Sequence, residues 1–163
     1  MAMRFRLLGM AMMLGAAGTA PLPTGPVVLK SQPRTALDAT ARRVAAADLF
    51  DGTPGALLLI GTQTLGTAGT GPALFVQVQS SRSCGSAGCS VSVYLPNGNT
   101  YTKVLDAVGQ IAVAPGVHRG MHDLLVGAND RWVWNGTAYV DTLPAPKVDL
   151  RPRKHPTRAA RHT

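Results

Sequence analysis

Between positions 56 and 140, apolar residues come in short bursts, many with a period near two, divided by breaks rich in Gly, Asn and Ser. Side chains leave a strand on alternate faces, so this rhythm predicts half-buried β-strands. ALLLIG (56–61) is a continuous apolar run suited to a buried strand, and the Gly- and Thr-rich TQTLGTAGTGP that follows reads as a loop. ALFVQVQ (73–79) and VSVYL (91–95) alternate over part of their length, TYTKVL (100–105) returns, and QIAVA (110–114) is ended by Pro115-Gly116. DLLVG (123–127) is a further strand. Asn97-Gly98 and Asn135-Gly136 sit between apolar runs and signal hairpins, because these residues accept the positive φ of tight turns. Upstream, TALDATARRVAAADL (35–49) has a helical period instead, with Leu37, Ala41, Val44 and Ala45 on one face and Arg42 and Arg43 away from it. Thr35 with Asp38 three residues later predicts the N-terminal cap. The fold expected is α+β and mostly β: an antiparallel sheet or small sandwich of seven to eight short strands with one N-terminal helix.

Charge changes the picture at the ends only. The formal net charge is +8, and every acid is Asp. Yet residues 21–144 carry eight bases against seven acids, so the excess sits in the termini and the body gives no sign of a nucleic-acid surface. MAMRFR followed by LLGMAMMLGAA and the small residues AAGTA predicts an export signal over residues 1–20, with an apolar run short for a membrane span. Residues 21–34 form a proline-rich, extended and poorly ordered lead, 35–144 the globular domain, and 145–163 a basic disordered tail. A periplasmic or secreted location follows.

Export decides how the two cysteines are read. In an oxidising compartment Cys84 and Cys89, in CGSAGC between strands, are expected to form a disulfide that stabilises by about 2 kcal/mol on the loop-entropy account. A zinc site joining them to His118 and His122 fails on spacing, and a redox pair would have two intervening residues. No cofactor or resident metal is expected.

The stretch ADLFDGTPGALLLIG resembles the Asp-rich turn of the FG-GAP and VCBS class of exported bacterial repeats, whose turn oxygens can hold calcium. Phe50 and Gly55 replace oxygen donors of that pattern, so Asp48 and Asp51 are too few for a hard cation and a plain turn is expected. The wider order also resembles exported proteobacterial domains of unknown function. It runs from the Asp-Gly turn Asp48–Gly52 through the hexapeptide Cys84–Cys89 and the strand Asp123–Val126 to the aromatic hairpin Trp132–Tyr139.

Three further groups have chemical potential. With a two-residue turn at Asn135-Gly136, Trp134 faces Thr137 and Trp132 faces Tyr139. Trp132, Trp134 and Tyr139 then share a face as a ligand platform, or else close the core. His122 beside Asp123 is the pair a small envelope hydrolase would use, although no serine is placed for activation. Arg151, Arg153, Lys154, Arg158 and Arg161 on the tail suit contact with a polyanion, which outside the cytoplasm means an anionic envelope surface. These readings lead to a non-enzymatic binding or structural module of the cell envelope, whose partner is that surface or an envelope protein. The alternatives are an inhibitor of an envelope-degrading enzyme and a small hydrolase.

Overall fold

The computed structural model describes residues 24–49, 56–67, 70–128 and 130–143. The signal segment, Asp51 with its Asp-Gly turn, and the basic tail lie outside the described residues. In chain order the elements are β1 (Gly25–Pro26), α1 (Ala36–Val44), β2 (Leu57–Gln63), β3 (Ala73–Gln79), β4 (Cys84–Gly85) and β5 (Gly88–Asn97). There follow β6 (Thr100–Val108), β7 (Ile111–His118), β8 (Met121–Val126), β9 (Asp130–Trp134) and β10 (Tyr139–Asp141). All pairings are antiparallel. One sheet has the order β1-β7-β8-β9-β10; in the other, β5 pairs with β3, β4 and β6, and β2 lies outside β3.

The mostly β architecture with one helix is therefore as the sequence predicts, and the packing explains the apolar pattern. Phe75, Val91, Val93 and Leu105 from one sheet meet Ile111, Val113, Leu124 and Val126 from the other in the main core. A second core lies on the far side of the β2-β3-β5 sheet, where α1 sets Ala41 and Ala45 against Leu58, Ile60, Leu74, Val76 and Tyr94. The middle sheet is thus covered on both faces, which is why β2 and the start of β3 read as continuous rather than alternating runs. α1 begins as expected, with the Thr35 hydroxyl accepting the Asp38 N–H at 3.1 Å, and Arg42 pairs with Asp38 one turn back.

The described part of the proline-rich lead belongs to the sandwich. Gly25 and Pro26 pair with Val113 and Ala112, and the chain then crosses to the other sheet, where Lys30 and Ile60 exchange backbone hydrogen bonds of 3.0 and 2.8 Å. Gly61 permits that approach, since a Cβ there would stand 2.6 Å from the Val28 carbonyl oxygen.

Both Asn-Gly hairpins form, each displaced from the expected register. Asn97 pairs with Thr100, so Gly98 (φ 59°) and Asn99 make the turn. Trp134 pairs with Tyr139, not Thr137, because the Asn135 side chain accepts the N–H groups of Thr137 and Ala138 and closes a four-residue loop. Pro115-Gly116 does not end its strand; it lies in a bulge, and β7 runs on to His118.

Candidate functional site

The bulge builds the most unusual polar feature of the described fold. Val113 pairs with Leu124 and Val117 with His122, so residues 114–116 of β7 oppose the single residue Asp123. Asp123 is fully buried. Its Oδ1 lies 2.6 Å from His118 Nδ1, while its Oδ2 accepts Arg131 Nε at 2.9 Å and also Arg131 Nη2. A buried carboxylate is tolerated only when paired and hydrogen-bonded, and these two neighbours supply both. Against an ionised Asp123, His118 donates from Nδ1, which leaves Nε2 as the free ring nitrogen; both partner side chains are about half exposed. Gly116 keeps the pocket open for them, for a Cβ there would stand 2.7 Å from Arg131 Nη2.

Adjacency in sequence suggested His122 as the partner of Asp123. The strand separates them: His122 is buried and donates from Nδ1 to the Ala114 carbonyl at 3.1 Å. His118, five residues away, is the histidine that meets the carboxylate. The signal available was the strand itself, since neighbours in a strand face opposite ways.

The aromatic hairpin does place Trp132, Trp134 and Tyr139 on one face, because the two-residue register shift preserves parity. That face is turned to the main core. Tyr139 is 4% exposed, and both tryptophans are partly buried against the inter-sheet cluster. Trp134 and Tyr139 rings meet at 5.4 Å, and Trp132 Nε1 is buried without a hydrogen-bond partner among the described residues. The Tyr139 hydroxyl donates to the His122 carbonyl at 2.7 Å, and burial, then the nearby Asp123 charge, pushes it well above the usual phenol range.

Asp48, the described acid of the calcium-like turn, is engaged elsewhere. Both its oxygens accept Lys103 Nζ at 2.7 Å, and Oδ2 also accepts the Tyr94 hydroxyl at 3.0 Å. Burial, then the Asp48 hydrogen bond and charge, pushes Tyr94 up to about 12. Among the described residues no cluster of three or more His, Cys, Asp or Glu could hold a metal ion.

The cysteines form the expected disulfide, directly opposite one another in the small hairpin of β4 and β5. Beside it opens a cleft of about 490 Å³, lined by Gln77, Ser86–Cys89, Gly109, Gln110, Gly127 and Ala128. Its lining contains no charged residue. Gly88, Gly109 and Gly127, all at positive φ, pack backbone to backbone across three successive turns: a Cβ on Gly88 would stand 2.9 Å from Gly109 Cα, and one on Gly109 3.1 Å from Gly127 Cα. A neighbouring hollow of about 270 Å³, lined by Pro26, Val27, Leu29, Leu59 and Ile111, shares Gln77 and Gln110. Gln77 and Gln110 therefore line both hollows.

No family model matches this chain. Comparisons with curated proteins and with solved structures give no match either. Among the described residues, no helix is long and apolar enough to cross a membrane.

Proposed function

We propose that this protein is an exported, non-enzymatic binding module of the bacterial cell envelope, which takes its ligand in the cleft beside the disulfide. The observation that carries the reading is that cleft: about 490 Å³ of open space lined by uncharged side chains and by Gly88, Gly109 and Gly127. Clefts of this size with a few polar groups are the usual form of small-ligand sites. Two carboxamides suit an uncharged ligand rich in amides or hydroxyls, and the adjoining hollow suits its apolar part. The disulfide supports an oxidising compartment and stiffens one wall. The bases of residues 145–163, Arg151, Arg153, Lys154, Arg158 and Arg161 among them, hold the module near anionic surfaces.

Co-sedimentation with a purified envelope fraction tests this. The chain should be retained, and Gln110→Ala should weaken retention about tenfold, roughly the worth of one or two lost hydrogen bonds. The melting temperature should not move, because Gln110 is exposed. No retention, or equal retention of the variant, would sink the reading. A hydrolytic reading draws on one observation, the 2.6 Å contact of His118 with a buried carboxylate that orients its ring. It would replace binding if His118→Ala abolished degradation of envelope polymer while retention persisted.

A further inference from the structure

We infer that the corner of the sandwich built around Asp123 is a second, separate site, and that it takes a phosphoryl group. Two donor side chains, His118 and Arg131, meet on Asp123, and Arg119 next to His118 in the chain is anchored on the Asn135 carbonyl, so each is held by the protein before any ligand arrives. Arg131 spends Nε and one hydrogen of Nη2 on Asp123 Oδ2, so its remaining N–H groups are left for other partners. His118 is held on Oδ1 of the same carboxylate and keeps Nε2 free. Arg119 follows His118 in the turn between β7 and β8, and its Nη1 donates to the Asn135 carbonyl at 2.5 Å.

Arg119 is the informative member. His118 pairs with Met121, so Arg119 and Gly120 are the two turn residues, with φ of 48° and 81°. That turn favours Asn or Gly at its first position, because a Cβ is strained in the left-handed region. An arginine there works against the turn, although its guanidinium serves the Asn135 carbonyl; strain of this kind gathers at functional positions. Two glycines also make room for the guanidinium groups. A Cβ on Gly136 would stand 3.1 Å from Arg119 Nη1, and one on Gly116 2.7 Å from Arg131 Nη2.

Charge points the same way. The buried carboxylate faces the Arg131 guanidinium and the His118 imidazole, and Arg119 follows His118 in the chain, so two permanent positive charges stand in this corner against the one negative charge of Asp123. Anchored guanidinium forks lose little freedom on binding and match phosphate oxygens, while the imidazole adds a third donor or acceptor. The group recognised is a phosphate mono- or diester, carried either by a lipid headgroup or by a soluble molecule.

The test titrates the isotope-labelled full chain with inorganic phosphate at constant ionic strength, following backbone and side-chain N–H signals. Saturable shifts are expected at His118, Arg119, Gly120 and Arg131. Arg119→Gly removes one guanidinium and relieves the turn, so this variant should melt at the same or a higher temperature yet bind phosphate about tenfold more weakly. Unchanged phosphate affinity in the variant, or shifts confined to residues 145–163, would overturn the proposal. Vesicles of phosphatidylglycerol and of phosphatidylcholine separate the sources. Weaker association of the variant with the anionic vesicles assigns the site to headgroups. A loss of phosphate binding with vesicle association intact assigns it to soluble phosphate esters.

Discussion

Asp123→Ala should lower stability by about 3 kcal/mol, at the low end for breaking a buried ion pair because the partners left behind reach water. In a thermal melt this is a fall of roughly 10 °C for a domain of this size. The size of the effect follows from burial: Asp123 has no exposed surface, whereas His118 and Arg131 are about half exposed. The order of effects is the sharper expectation. Arg131→Ala leaves the carboxylate buried with only an imidazole for company and should cost about as much as losing Asp123 itself. His118→Ala leaves the Arg131 contacts in place and should cost about 1 kcal/mol. Chemical denaturation of the three variants checks the ranking. Equal costs for His118→Ala and Arg131→Ala would mean that the carboxylate is not held in the way the geometry implies.

Gly88→Ala should cost about 3 kcal/mol, combining backbone strain with overpacking. The native φ of 117° is a region that L side chains rarely adopt, and the new Cβ would meet the Gly109 backbone at 2.9 Å. The Gly109 side of the column has little room to retreat, being packed on Gly127 in turn. Gly85, in the same cysteine hairpin, supplies the control: it has no positive φ and open space around its Cβ position, so Gly85→Ala should leave the denaturation midpoint within experimental error. Gly98→Ala falls between them, with strain at φ 59° but no clash, at about 1 kcal/mol. A flat response across the three glycines would show that the column does not constrain the fold.

The sequence made some features legible because local chemistry decides them. The Thr35 cap, the alternation in β3 and β5 and the cysteine hairpin each rest on residues close in the chain, and each forms. The features it hid depend on choices between local alternatives. At Asn135 the side chain can serve the backbone as an acceptor or give up that role to a two-residue turn; the acceptor role wins, and the strand register moves by two. Pro115-Gly116 looks like a strand end, but a bulge accommodates a residue without an N–H and lets β7 continue. The candidate site was hidden for a related reason. His122 and Asp123 look like a pair when read along the chain, yet β8 turns them to opposite faces. The bulge then brings His118 across in place of His122, and Arg131 comes from the neighbouring strand. The pairing of Gly25 and Pro26 with β7 was hidden because prolines and a missing alternation describe an extended segment equally well whether or not it joins a sheet edge.

An exported, disulfide-stapled module requires the Cys84–Cys89 link to be closed where the protein works. Thiol trapping of the protein in its native cells, with alkylation before any reductant is added, tests this directly. No labelled cysteine is expected in the envelope or external fraction, and labelling of both Cys84 and Cys89 only after reduction. A cytosolic protein with both cysteines labelled at once would contradict it.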